Sequence, residues 1–377
     1  MSPCGLGGCC TRIAITALVF SRSSLFRVMS AIIAPDPRTF DFKWRPLVTF
    51  AALNPQRPEL KDPVGPIALV SGAFLKNIQR INWMILTPSL VGDLTLHIQL
   101  CFDLARWRVT GELGTESLPA DHPQFQQVTA LANEFFQRST QHLVSGIGTP
   151  EHEQNVLNAI DQGTQPVEML ATEGSPSRQG IEALLSSCII GIWTAFETMA
   201  GDLWQTAVNL HPRTLAELKG ARKRLLKGVD DDAPSSDDRD DPDRRNKRSV
   251  PLNDILRYEY DIRDKMGTVL RNSLRFDYLT GIREAYALAF SKKFDAIDAI
   301  LKHESFDALS SIRNLIVHRS SIVDSTYEQR TKYLKIPIAP LGSQICLDGE
   351  TVRDLMQSVI VCSLHLIVAV DDWVASN

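Results

Sequence analysis

The sequence predicts a mainly α protein: a helical bundle in the C-terminal half with a short β hairpin-like element, preceded by a less regular α+β region. Three observations carry this. After residue 178, apolar residues recur at i, i+3 and i+4 through most of the chain. Before residue 120, short apolar runs of mixed period are broken by Pro and Gly. A polar stretch rich in Gly, Ser and Pro separates the two regions. With 377 residues and 44% hydrophobic content, the chain can build one large domain or two ordinary ones. Its net charge is -4, so no global basic excess attracts nucleic acid, and an RNA contact must rest on a local patch.

Residues 1–35 contain Arg12, Arg22 and Arg27, and no acid precedes Asp36. Their two apolar runs are too short to cross a bilayer, and "SRSS" is a poor cleavage site. The expectation is a disordered leader or a misassigned start, with Met29 as the true first residue. Residues 36–145 read as an α+β region of unknown function. The alternation in "LTLHIQL" and "RWRVTGEL" suggests strands, with His97 a packed residue. "DHPQFQQVTALANEFFQRSTQHLV" (121–144) reads as an amphipathic helix capped by Asp121, with Pro123 in the first turn. Residues 146–177 read as a linker with one short helix.

The helical domain occupies 178–377. Residues 181–210 are apolar over most of the helix circumference, and Glu197 and Asp202 are the only acids there after Glu182. Residues 213–228 form a basic amphipathic helix carrying Lys219, Arg222, Lys223, Arg224 and Lys227. Residues 229–250 hold eight aspartates and five basic residues with almost nothing apolar, the composition of a disordered charged loop. "FDAIDAILKHESFDALSSIRNLIVH" continues the helical pattern, and Tyr286 just before it reads as core. "TKYLKIPIAPLGSQICLDG" is strand-like, placing the β element near 333–347. A long apolar helix over 351–374 closes the chain, with His365 read as core.

Seven cysteines occur without a CxxC pair, which points to reduced, buried thiols and a cytoplasmic protein. No Cys/His cluster has zinc spacing, so neither a metal nor a cofactor is expected. Walker, GxSxG and HExxH motifs are absent. No membrane contact is expected.

The stretch "SIRNLIVHRSSIVD" (311–324) is the informative one. Arg313 and Asn314 precede three aliphatics, Leu315, Ile316 and Val317, and His318 follows at the helix end. Arg313-Asn314-x-x-x-His318 resembles the signature of the HEPN domain family, and "WTAFETMAGDLW", "GIREAYALAF" and "QICLDGETVRDLMQSV" resemble its surrounding helices. The resemblance covers about 178–377. It implies a HEPN-like bundle, a homodimer, and a metal-independent endoribonuclease of the toxin, stress or defence type, with a regulatory protein partner. His318 would be the acid/base, Arg313 would hold the scissile phosphate, and Asn314 would orient a neighbour. Glu197 would polarise His318 or pair with Arg313 from the first helix. Lys219, Arg222, Lys223, Arg224, Lys227 and Arg319 would contact RNA. In one toxin branch a Tyr stands two residues after the motif His; here that position is Ser320, which argues against control by modification of that residue.

The chemistry is coherent with these residue types. RNA carries its own nucleophile, the 2′-OH, and histidine as a residue type titrates near neutrality. Arginine offers a permanent planar cation to phosphate oxygens. A five-residue step turns about 500°, so the two side chains start about 140° apart. Convergence is expected only where the helix loosens or a second subunit supplies one residue. The competing reading is a helix end: a cation in the last turn gains about 0.3–1 kcal/mol with no chemistry. The alternative function is a non-catalytic module binding RNA or a protein.

Overall fold

The structure, a computed structural model, describes residues 44, 57–111, 120–144, 149–172, 174–218, 252–290, 295–334, 336–337 and 339–377. The leader, the basic residues Lys219 to Lys227 and the charged segment 229–250 lie outside them. By compactness the chain divides into two units: Met1–Phe50 with Leu86–Gln179, and Ala51–Ile85 with Gly180–Asn377. Each is helical. The first long helix, α1 (Pro66–Thr110), contributes to both.

This corrects the α+β expectation. "LTLHIQL" and "RWRVT" lie in α1, whose 45 residues run through Pro88 and Gly92. The apparent alternation comes from a helix that carries apolar and polar residues on both sides, with Ser89, Asp93 and His97 buried and Thr95 and Gln99 exposed. Gly92, which reads as a breaker, serves a close helix approach instead. In the first unit α1 packs against α2 (Phe125–Val144) and α3 (Pro150–Leu170). A Cβ at Gly92 would sit 2.6 Å from the Gly163 carbonyl oxygen of α3, and one at Gly163 would collide with the Ser89 carbonyl. Two glycines therefore let the backbones touch. The α1–α2 core consists of Ala105, Val128 and Ala132, surrounded by Phe102, Val109, Leu131 and Phe135. Trp44 is buried, donating from Nε1 to Ser89 Oγ (2.8 Å) and from its backbone N–H to Glu168 Oε1 (3.0 Å).

α2 begins at Phe125, so Asp121 and Pro123 precede it rather than cap it. α3 fills the expected linker with 21 helical residues. Thr149 caps it by accepting from the His152 N–H (3.2 Å), and Pro150 occupies the first turn, where its missing N–H costs nothing.

The second unit is built on α4 (Pro176–Leu210), whose residues from Leu185 to Val208 are mostly buried. After the single turn α5 (Pro212–Leu215) come α6 (Leu252–Leu256), α7 (Met266–Arg271), α8 (Leu279–Ala289), α9 (Asp295–Leu301), α10 (Glu304–Arg319), α11 (Ser325–Thr331) and α12 (Gly349–Ala375). The α4–α8 crossing is fastened twice. Trp204 Nε1 donates to the Ala285 carbonyl (2.9 Å), and Tyr286 Oη donates to the Ala200 carbonyl (2.8 Å). Burial drives the Tyr286 hydroxyl well above the usual tyrosine range. Phe196 of α4 stacks on Phe306 of α10 with centroids 4.3 Å apart, which ties the motif helix to the central one. Phe290 meets Trp373 of α12 edge-on at 5.2 Å. The α9–α10 pattern, continuous in sequence, breaks at His303, whose Nδ1 caps α10 by accepting from the Ser305 N–H.

The expected β element is also corrected. Among the described residues there is no strand. Ile322 and Gln344 form an isolated antiparallel bridge, supported by hydrogen bonds from Val323 N–H to Ser343 O and from Ile345 N–H to Ser321 O. Pro337 and Pro340 interrupt the segment and deny it a ladder. Cys101, Cys188 and Cys362 are buried free thiols, and Cys346 is exposed. His365 is exposed on α12 rather than in the core.

The expectation of no membrane contact does not stand. α1, α4 and α12 are long and apolar enough to cross a membrane, judged by length and composition. Read as short strands, residues 66–110 contain no long apolar run; joined into one helix, they do.

Candidate functional site

α10 carries the motif. Acids Glu304 and Asp307 stand in its first turn, and His318 and Arg319 in its last, the favourable order for the helix dipole. Ile312 and Leu315 are buried and hold the helix down, whereas Val317 and His318 face outward. The helix ends at Ser320, left-handed at φ 51°, with Ser321 at φ 66°. Both N–H groups turn back to the Leu315 carbonyl. The second turn then sends the chain along the 321–323 bridge to Asp324. That carboxylate caps α11 by accepting from the Tyr327 N–H (2.8 Å) and pairs with Arg319 Nε (3.1 Å).

This return brings α11 over the end of α10. A small cleft results, lined by Asn314, His318 and Arg319 from α10 and by Asp324, Tyr327 and Arg330 from beyond the turn. Its volume is about 70 Å³, far below the roughly 300–1,000 Å³ of an enclosing ligand pocket. It suits a single charged group approached from the surface, not a buried small molecule. Tyr327 Oη donates to the Pro337 carbonyl (3.0 Å), and burial pushes its hydroxyl up to about 12.

Arg313 and His318 meet within one chain. Arg313 Nη1 lies 3.4 Å from His318 Nε2 and donates to Asn314 Oδ1 at 2.9 Å. The helix does not loosen to allow this, since α10 is helical through Arg319. The long arginine stem spans the angular gap instead. Because Nη1 only donates, the contact is a hydrogen bond when His318 Nε2 carries the lone pair. An imidazole nitrogen and a guanidinium share one exposed spot.

Glu197 does not join the cleft. It is half-buried on α4, and among the described residues no carboxylate is within ion-pair distance of Arg313. Its influence is electrostatic. Burial raises the Glu197 pKa, while a hydrogen bond with Trp193 and, after it, the Arg313 charge work in the opposite direction. Asp277 feels Arg313 as well, though its carboxyl is held below the usual range chiefly by the Arg275 hydrogen bond. Arg275 and Asp277 sit 2.6 Å apart. Arg271 completes the surroundings, paired to Asp202 at 2.5 Å. Arg313 Nε is buried without a hydrogen-bond partner.

Of the sequence-predicted residues, the structure brings together Arg313, Asn314 and His318, places Arg319 beside them, and leaves Glu197 at longer range. Lys219, Arg222, Lys223, Arg224 and Lys227 lie outside the described residues. Sequence reasoning missed Asp324, Tyr327 and Arg330. The signal was the capping aspartate in "IVDSTYEQR", which starts a helix whose i+3 and i+6 residues turn back toward the motif. Among the described residues no three His, Cys, Asp or Glu side chains converge to hold a metal ion. No family model, no curated protein and no solved structure matches the chain.

Proposed function

We propose that Arg313 and His318, paired at the end of α10, cleave RNA by metal-independent transesterification, as the resemblance to HEPN nucleases implies. His318 Nε2 takes the proton of a ribose 2′-OH. The 2′ oxygen bonds to phosphorus, the bond from phosphorus to the 5′ oxygen breaks, and the imidazolium returns its proton to that leaving oxygen. Arg313 stabilises the charge on the phosphoryl oxygens. Products end in a 2′,3′-cyclic phosphate and a 5′-hydroxyl. The observation that supports this reading is the 3.4 Å approach of Arg313 Nη1 to His318 Nε2, His318 itself lining the surface cleft.

A second reading is favoured by a different observation. Glu197 and Asp277 both act on the Arg313 charge, and its Nη1 is already engaged by Asn314 and His318. An arginine so balanced serves a binding module as well as an enzyme. Purified protein incubated with RNA in EDTA, beside Arg313→Ala and His318→Ala, separates the two. Cleavage with cyclic-phosphate ends, lost in both variants, is expected for the nuclease. RNA retained without cleavage by wild type and by His318→Ala, with weaker retention by Arg313→Ala, would leave only the module.

A further inference from the structure

We infer that the cleft between the end of α10 and α11 holds the phosphate next to the one cleaved, and that Arg330 is the residue that binds it. This rests on the assignment of Arg313 and His318 to the scissile phosphate. It adds a residue that the motif does not supply, and it makes the preferred substrate a strand with at least two phosphates.

His318 borders two places. It meets Arg313 Nη1 at 3.4 Å. It also lines the cleft, whose wall includes Asn314, Arg319, Asp324, Tyr327 and Arg330 but not Arg313. A phosphate gripped by Arg313 and a phosphate in the cleft are therefore different phosphates beside one imidazole. Consecutive phosphates of a single strand meet that description.

Charge and size decide what the cleft takes. Arg319 and Arg330 bring two cations, and Asp324 is the one acid among the described residues lining it. Asp324 is already engaged: Oδ1 accepts from the Tyr327 N–H at 2.8 Å and Oδ2 from Arg319 Nε at 3.1 Å. One positive charge is left before His318 is counted, so the cleft favours an anion. Its volume is about 70 Å³, and a single water-sized atom needs about 10–15 Å³. That admits the oxygens of one phosphate group and excludes a nucleobase. Tyr327 Oη is bound to the Pro337 carbonyl at 3.0 Å, so it serves as wall. A site of this kind reads the backbone and not the base.

The fold places Arg330 for this task. It stands in the last turn of α11, where a cation also suits the helix dipole. A residue serving the dipole alone has no need to meet another element. Arg330 instead is half-buried and shares the cleft wall with His318 and Arg319 of α10. Its planar fork matches the oxygens of a phosphate.

The test titrates the full chain against a labelled single-stranded DNA hexamer, which presents phosphates, lacks the 2′-OH and is not cut. Wild type, Arg330→Gln and Arg330→Lys are compared by fluorescence polarisation across a range of salt. Arg330→Gln is expected to bind about tenfold more weakly. The slope of log Kd against log salt should fall by about 0.7, the share of one phosphate, and Arg330→Lys should keep it. In parallel, wild type is expected to cleave an RNA trinucleoside diphosphate at least about tenfold faster than a dinucleoside monophosphate, a preference that Arg330→Gln loses. Absence of DNA binding by wild type, or equal affinity and slope for Arg330→Gln, overturns the inference. A rate loss of the same size on both RNAs overturns it too, by putting Arg330 at the scissile phosphate. Loss of affinity in both variants with a lowered melting temperature makes the arginine structural and also overturns it. If wild type cuts neither RNA while Arg330→Gln still loses affinity and slope, the nuclease reading falls and the phosphate site stands without it.

Discussion

Replacing Arg313 by lysine tests whether the guanidinium fork, and not merely a charge, matters at the end of α10. Arg313 reaches Asn314 Oδ1 and His318 Nε2 through a single Nη1, at 2.9 and 3.4 Å. Lysine keeps the cation but cannot hold a planar fork across a phosphate while touching His318. Removing one preorganised donor from a developing oxyanion typically costs about 2.7–4 kcal/mol, or a 10²–10³-fold loss in rate. Stability should change far less. The His318 contact is long and exposed, no carboxylate pairs with Arg313 among the described residues, and about 1 kcal/mol is the expected scale for the Asn314 bond. That amounts to a melting shift of about 2–4 °C in a domain of this size. Single-turnover cleavage of an RNA oligonucleotide and thermal melting are measured together, with Arg353→Lys on α12 as the control. Lysine at 313 cleaving as fast as arginine would refute the reasoning, because charge alone would then suffice. A melting loss as large as the rate loss would show that Arg313 holds the fold and not the phosphate.

Other expectations concern the frame around that site. Glu197 has a raised folded-state pKa because burial disfavours its carboxylate, so its ionised form costs stability at neutral pH. Glu197→Gln should therefore raise the melting temperature at pH 7, with the gain shrinking as the pH falls through the raised folded value and vanishing below about 4.3, the unfolded one; a gain independent of pH would contradict this. Ser320→Gly relieves a left-handed residue at φ 51° and should stabilise by about 1 kcal/mol in denaturant titration, whereas destabilisation would mean the serine side chain holds the turn. Gly163→Ala drives a Cβ into the Ser89 carbonyl and should cost about 1–3 kcal/mol or more, read by denaturant unfolding of the full chain. An unchanged midpoint would place α1 and α3 further apart than described.

What sequence alone determined is the existence of the apolar helices and the motif. α4 and α12 announce themselves because a helix buried on several sides must be apolar around most of its circumference. Arg313, Asn314 and His318 were legible as neighbours along one helix, but that the arginine stem closes the angular gap within one chain was not. Tertiary structure decided the rest. α1 looked like strands because Gly92 and Pro88 read as breakers, yet Gly92 exists for the approach of Gly163, some seventy positions away in the chain. Polar Ser89, Asp93 and His97 turn inward because Trp44, Ser139 and α3 wait there, and no local pattern records those partners. The cleft itself depends on two left-handed serines reversing the chain so that Asp324, Tyr327 and Arg330 return to the motif. Periodicity reports which side of a helix is apolar. Which surface that side meets is a long-range contact, and only the folded chain specifies it.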